Sequence, residues 1–150
     1  MRILEINFCF VKKSKSIAVI IIILFQAVLS FGQENNNLID SLEKELSKDI
    51  LDTTRVRVLI RLADAYTFTD FQKSIQYAKE ATTLAIKTEN PTLKYSANQQ
   101  LALSYSLEGD YTSALKYETL SLQLAFLLND STNIGLSHSN VGNYYYEIGE

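Results

Sequence analysis

The chain of 150 residues is short of the side chains that build most chemical sites. Its single cysteine, Cys9, excludes an internal disulfide and any site made from paired thiolates. Its single histidine, His138, has no second imidazole to complete a metal site. One proline and five glycines leave few breaks and tight turns, which points to long helices. Basic charge is also scarce. With 14 Lys/Arg against 17 Asp/Glu, the net charge is -3 and the pI about 5.2, which argues against the basic footprint of a nucleic-acid binder. The main apolar run, Ile17 to Leu29, has 13 residues, below the roughly 20 that span a bilayer. An apolar share of 47% remains, enough for one domain with a core.

That apolar run sits in a recognisable context. Arg2, Lys12, Lys13 and Lys15 precede it, against one acid, Glu5, and the small residues Ser30 and Gly32 follow it. A charged stretch, a short apolar stretch and small residues form a signal-peptide layout, with cleavage expected after Gly32. An uncleaved membrane anchor is the alternative, because Phe8 to Val11 lengthens the apolar stretch. Cys9 precedes the run and is expected to leave with the peptide. Removing residues 1–32 takes away four basic residues and one acid. That leaves 10 Lys/Arg, 16 Asp/Glu, a net charge of -6 and no cysteine, as suits an exported chain. QENNN, residues 33–37, is expected to be a disordered leader.

The rest repeats. LALSYSLEG, Leu101 to Gly109, returns 40 residues later as VGNYYYEIG, Val141 to Gly149. Leu62, Ala63 and Tyr66 precede the first copy by 39 residues. Lys73 to Thr92 matches Ser113 to Thr132 at a shift of 40, pairing Ile75 with Leu115 and Ala85 with Ala125. Asn90 and Asp130 are N-cap residues in type, and Gly109-Asp110 marks the turn inside a unit. Ser74, Ala78, Ala81 and Ala85 fall on one helical stripe of small residues, which lets a neighbouring helix approach closely. Leu101 and Tyr105 of that neighbour are expected to fill the space left. The spacing predicts helices near 38–50, 54–67, 71–88, 92–107, 111–128 and 132–148. The domain is thus a cap helix over 38–50, repeats over 54–88 and 92–128, and a partial repeat over 132–150. Glu150 aligns with Asp110 inside a turn, so the chain is expected to be part of a longer protein, with a natural end that pairs with another molecule as the alternative.

These residues resemble the tetratricopeptide repeat (TPR) family. A large apolar residue, a small one and an aromatic recur as Leu101, Ala102, Tyr105 and as Val141, Gly142, Tyr145. The turn Gly109-Asp110-Tyr111 is followed by a small residue, Ala114, and later by Ser121, with Ala81 one unit earlier. Two departures stand out: Glu118 takes an aromatic or apolar position, and Asp70 takes the place of the turn glycine. The resemblance covers residues 38–150 and implies an all-α fold, a TPR-like α-solenoid of antiparallel helical hairpins with repeats of about 40 residues. The chain also resembles exported TPR proteins of Bacteroidetes-type bacteria, many of which continue into a histidine kinase or a transcriptional regulator. That resemblance implies an extracytoplasmic, periplasmic-side sensor or scaffold. A free-standing periplasmic adaptor without an output domain is the alternative.

Enzyme chemistry has little to work with. Ser137-His138-Ser139 cannot form a triad, because helical neighbours point about 100° apart. There is no phosphate-cradling glycine loop. Asn129-Asp130-Ser131 has the form of a glycosylation sequon and reads as a turn between helices. No catalytic, cofactor or metal residues are expected, and the partner class is a protein or peptide, with no nucleic acid. Contact with a membrane is expected only through the N-terminal segment or a downstream helix. What the resemblance implies about binding is a groove lined by the first helix of each unit. Carried onto this sequence, the groove residues are Arg57, Arg61 and Asp64, then Gln99, Leu103 and Ser106, then Asn140, Asn143 and Tyr146. Arg57 and Arg61 are four apart and share one helix face, where they are able to hold a carboxylate together. In Tyr144-Tyr145-Tyr146, Tyr145 is expected in the core, with Tyr144 and Tyr146 facing elsewhere.

Overall fold

A computed structural model describes residues 35–149. The expected signal peptide, its cleavage point and the first two leader residues lie outside the described residues. The described chain is all helical: α1 over 35–46, α2 Asp52–Tyr66, α3 Phe71–Lys87, α4 Pro91–Glu108, α5 Tyr111–Leu127 and α6 Ser131–Ile148. Consecutive helices pack on one another, and α2 also packs on α4. Short links make neighbours antiparallel, and the result is an α-solenoid of helical hairpins.

Four of the helices start at residues spaced by twenty. Asp70, Asn90, Asp110 and Asp130 each accept a hydrogen bond from the backbone N–H three residues on, that of Lys73, Leu93, Ser113 and Asn133, at 3.0–3.1 Å. Each satisfies a donor that the first helical turn would leave orphaned. Pro91 adds the fixed φ that suits a first helical position. The forty-residue unit is therefore two helices with evenly spaced starts, each opened by an Asx cap. Leu51 before α2 offers no side-chain cap, and the regular spacing begins only after it. The stop signal is Gly109, at φ 92°, where its N–H and that of Asp110 close on Ser106 and Tyr105. The left-handed conformation is strained for residues with a Cβ, which explains glycine there.

The stripe of small residues is fully buried: Ser74, Ala78 and Ala81 are 0% exposed and Ala85 is 1%. Ala81 and Ala85 pack with Val56, Leu59, Leu93 and Ala97, and Ala78 packs with Ala63, Ile75 and Leu101. Close approach brings polar groups together as well. The Ser74 hydroxyl lies 2.8 Å from the Ala63 carbonyl, to which it donates, and 2.7 Å from the Ser104 hydroxyl. Nearer the N-terminus, Ile39 and Leu42 of α1 join Val58, Leu62 and Tyr66.

Four expectations are corrected. Residues 35–37 are helical rather than a disordered leader, and α1 ends at 46 rather than 50, where Ser47 turns its hydroxyl back onto the Lys44 carbonyl. Asp70 does not stand in for the turn glycine. It is the α3 cap, equivalent to Asp110, and α2 ends at its cap Thr67 in a right-handed conformation that needs no glycine. Tyr145 is not in the core: it is 43% exposed, while Tyr144 is buried with its ring 6.4 Å from that of Tyr111. Tyr144 takes the buried direction because α5 begins at Tyr111, opposite that side of α6.

Candidate binding cleft

The groove residues of the first unit converge. Arg57 and Arg61, one turn apart on α2, line a cleft of about 350 Å³ together with Ile60 from the same helix. The opposite wall is the start of α4, with Asn90, Thr92, Leu93 and Ser96. Both arginines are exposed, and the apolar parts of Ile60 and Leu93 form the floor. No carboxylate lines the cleft. The N-terminal end of α4 adds its partial positive charge on the same side. Two planar guanidiniums over an apolar floor are suited to a carboxylate with an adjoining apolar side chain. Asp64 is exposed on α2 but does not line this cleft.

The other groove residues are more dispersed. Gln99 donates to the Tyr95 hydroxyl at 3.0 Å, so it is committed within α4. Leu103 is 38% exposed, and the Ser106 hydroxyl donates back to the Leu103 carbonyl. Asn140 is half-buried, Asn143 is exposed, and Tyr146 is 81% exposed. Arg57 and Arg61 are thus gathered with α4 residues that sequence reasoning did not name, Leu93 and Ser96 above all.

Between α4, α5 and α6 lies a second polar feature. Glu118 is 1% exposed, and neither carboxylate oxygen has a partner in hydrogen-bonding geometry. Burial pushes its carboxyl above the usual carboxylate range, while the adjacent Ser137 and Asn140 side chains pull the other way. Ser137 is itself buried with an unpartnered hydroxyl. The neighbouring phenols of Tyr95 and Tyr144 are pushed up, first by burial and also by the charge of Glu118. The sequence signal was the acid standing in an apolar repeat position.

Among the described residues, no group of His, Cys, Asp and Glu is placed to hold a metal ion, and no helix is long and apolar enough to cross a membrane. No family model matches the chain, and no curated protein matches it.

Proposed function

We propose that the chain is an exported protein-binding module of tetratricopeptide repeat type, and that it grips an acidic segment of a partner protein between α2 and α4. The observation that carries this reading is the placing of Arg57 and Arg61 on one wall of a cleft with no carboxylate in its lining. A solenoid offers an extended surface made of many side chains rather than a closed reaction pocket, which suits binding. On this reading the module lies on the outer side of the inner membrane, as the sensor part of a longer signalling protein of the histidine kinase or regulator type. The layout of residues 1–32 and the acidic remainder support export.

Fluorescence anisotropy with a labelled, glutamate-rich peptide tests the cleft. The peptide is expected to bind, more weakly as salt rises. The double change Arg57→Ala, Arg61→Ala is expected to weaken it by about tenfold or more. Equal binding of a glutamine-substituted peptide, or an unaffected double variant, would overturn the reading.

A further inference from the structure

A second surface lies away from the arginine cleft. α3 and α5 flank a cleft of about 600 Å³ whose floor is α4. One wall is a ridge of Leu120, Leu124 and Leu127 on α5, at the i, i+4, i+7 spacing of a single helix face. The other wall carries Ile86 of α3. Ile86 is 69% exposed and Leu127 is 73% exposed, so large apolar side chains face solvent on both sides. The charged residues in the lining are both cations, Lys94 from the floor and Lys116 from the α5 wall. Asn98 and Thr82 also border it, but their side-chain oxygens are sealed from solvent and do not face an occupant.

We propose that this cleft is a docking site for a partner's amphipathic helix that carries an apolar stripe flanked by acidic residues. Each part of the occupant follows from a part of the cleft. The leucine ridge matches an apolar stripe of the same helical spacing. A helix satisfies its own backbone N–H and C=O groups, whereas an extended segment laid on leucines would leave most of its own unpaired. Lys94 and Lys116, with no acid in the lining, select acidic flanks and repel basic ones. This site does not depend on the arginine cleft, since the two share no lining residue.

The test uses two helical peptides with the same leucine stripe, one flanked by glutamates and one by lysines. Binding is read by anisotropy on the purified protein and on a variant carrying Arg57→Ala and Arg61→Ala. The acidic peptide is expected to bind both proteins, and the basic peptide neither. Lys94→Glu with Lys116→Glu is expected to weaken the acidic peptide by about tenfold or more and to admit the basic one. Lys116 is exposed and Lys94 half-buried; the helical circular dichroism of the double variant is expected to be unchanged, and Lys116→Glu alone is expected to weaken the acidic peptide in the same direction. Failure of the acidic peptide to bind would overturn the proposal, as would equal binding of both peptides or loss of binding in the arginine variant. Sedimentation of the protein alone supplies a further outcome. Self-association abolished by Leu120→Asp would assign the cleft to a second copy of this chain and overturn the partner assignment.

Discussion

Tyr66 of α2 and Tyr77 of α3 stack face to face, with ring centroids 5.7 Å apart and planes 14° from parallel. The next hairpin repeats the contact as Tyr105 and Tyr117, at 5.8 Å and 10°. Lysines lie over these rings: Lys73 at 4.7 Å from the Tyr66 centroid and Lys79 at 5.3 Å from that of Tyr105. In the first pair both hydroxyls donate to one carboxylate oxygen of Glu43, at 3.3 Å each. Burial and then the Glu43 charge push the Tyr77 phenol up. The stack ties the first helix of each unit to the second, near the turn that joins them.

A double-mutant cycle on Tyr105→Ala and Tyr117→Ala should isolate that tie. Stacked aromatic pairs contribute about 0.5–1.5 kcal/mol beyond their buried area. Urea denaturation of the wild type, both single variants and the double variant is expected to give a coupling in that range. A coupling near zero would mean that the rings contribute only as separate apolar surfaces.

The caps at twenty-residue spacing make a separate prediction. Asp130→Ala removes the acceptor for the Asn133 N–H and should cost about 1 kcal/mol. Asp130→Asn keeps an acceptor and should cost much less. At Asp110 the side chain and the backbone of Ser113, in that order, hold the carboxyl below the usual carboxylate range. A depressed folded value means that this cap stabilises above the ordinary range and loses its effect as pH falls through the folded value. Asp110→Asn should therefore flatten the acid side of the stability profile, measured by urea midpoints across pH 2–6, a window set by about two units around the ordinary carboxylate values.

Features that recur from one unit to the next depend on the residues of each unit alone. The small stripe from Ser74 to Ala85, the caps Asn90 and Asp130 and the turn at Gly109 are local features, and each is legible from residue type and spacing. Burial was less legible, because it depends on what a neighbour supplies. Tyr145 matches Tyr105 by position, yet the surroundings of Tyr105 are made by the ring of Tyr117 on the following helix. Among the described residues Tyr145 has no such ring, and Tyr144 meets Tyr111 instead. The pairing of Arg57 with Arg61 follows from helical spacing. The facing wall of Leu93 and Ser96 does not, because it depends on how α4 lies beside α2. Ile50 extends the apolar spacing of α1 past its end: the helix stops at 46 and Ile50 packs from the following loop.

Glu118 gives the clearest test of packing energetics. A carboxyl buried with both oxygens outside hydrogen-bonding geometry is destabilising when ionised, since the adjacent Ser137 and Asn140 side chains offset only part of the lost hydration. Its value is raised in the folded chain, so the folded state holds the proton more tightly than the unfolded state does. Stability is then greatest at or below the ordinary carboxylate range and falls as pH rises above it, until the folded value is passed. This slope is opposite in sign to that of Asp110, and the two should separate in single variants. Glu118→Gln should remove the alkaline-side loss. Glu118→Leu, which restores an apolar residue at this repeat position, should raise neutral-pH stability by about 1–3 kcal/mol. Urea midpoints at about pH 5 and about pH 8, the first just above the ordinary carboxylate value and the second well above it, provide the check. A Glu118→Leu protein less stable than the wild type at both would show that Ser137 and Asn140 hold the carboxylate in solution and that the acid supports the α5–α6 contact.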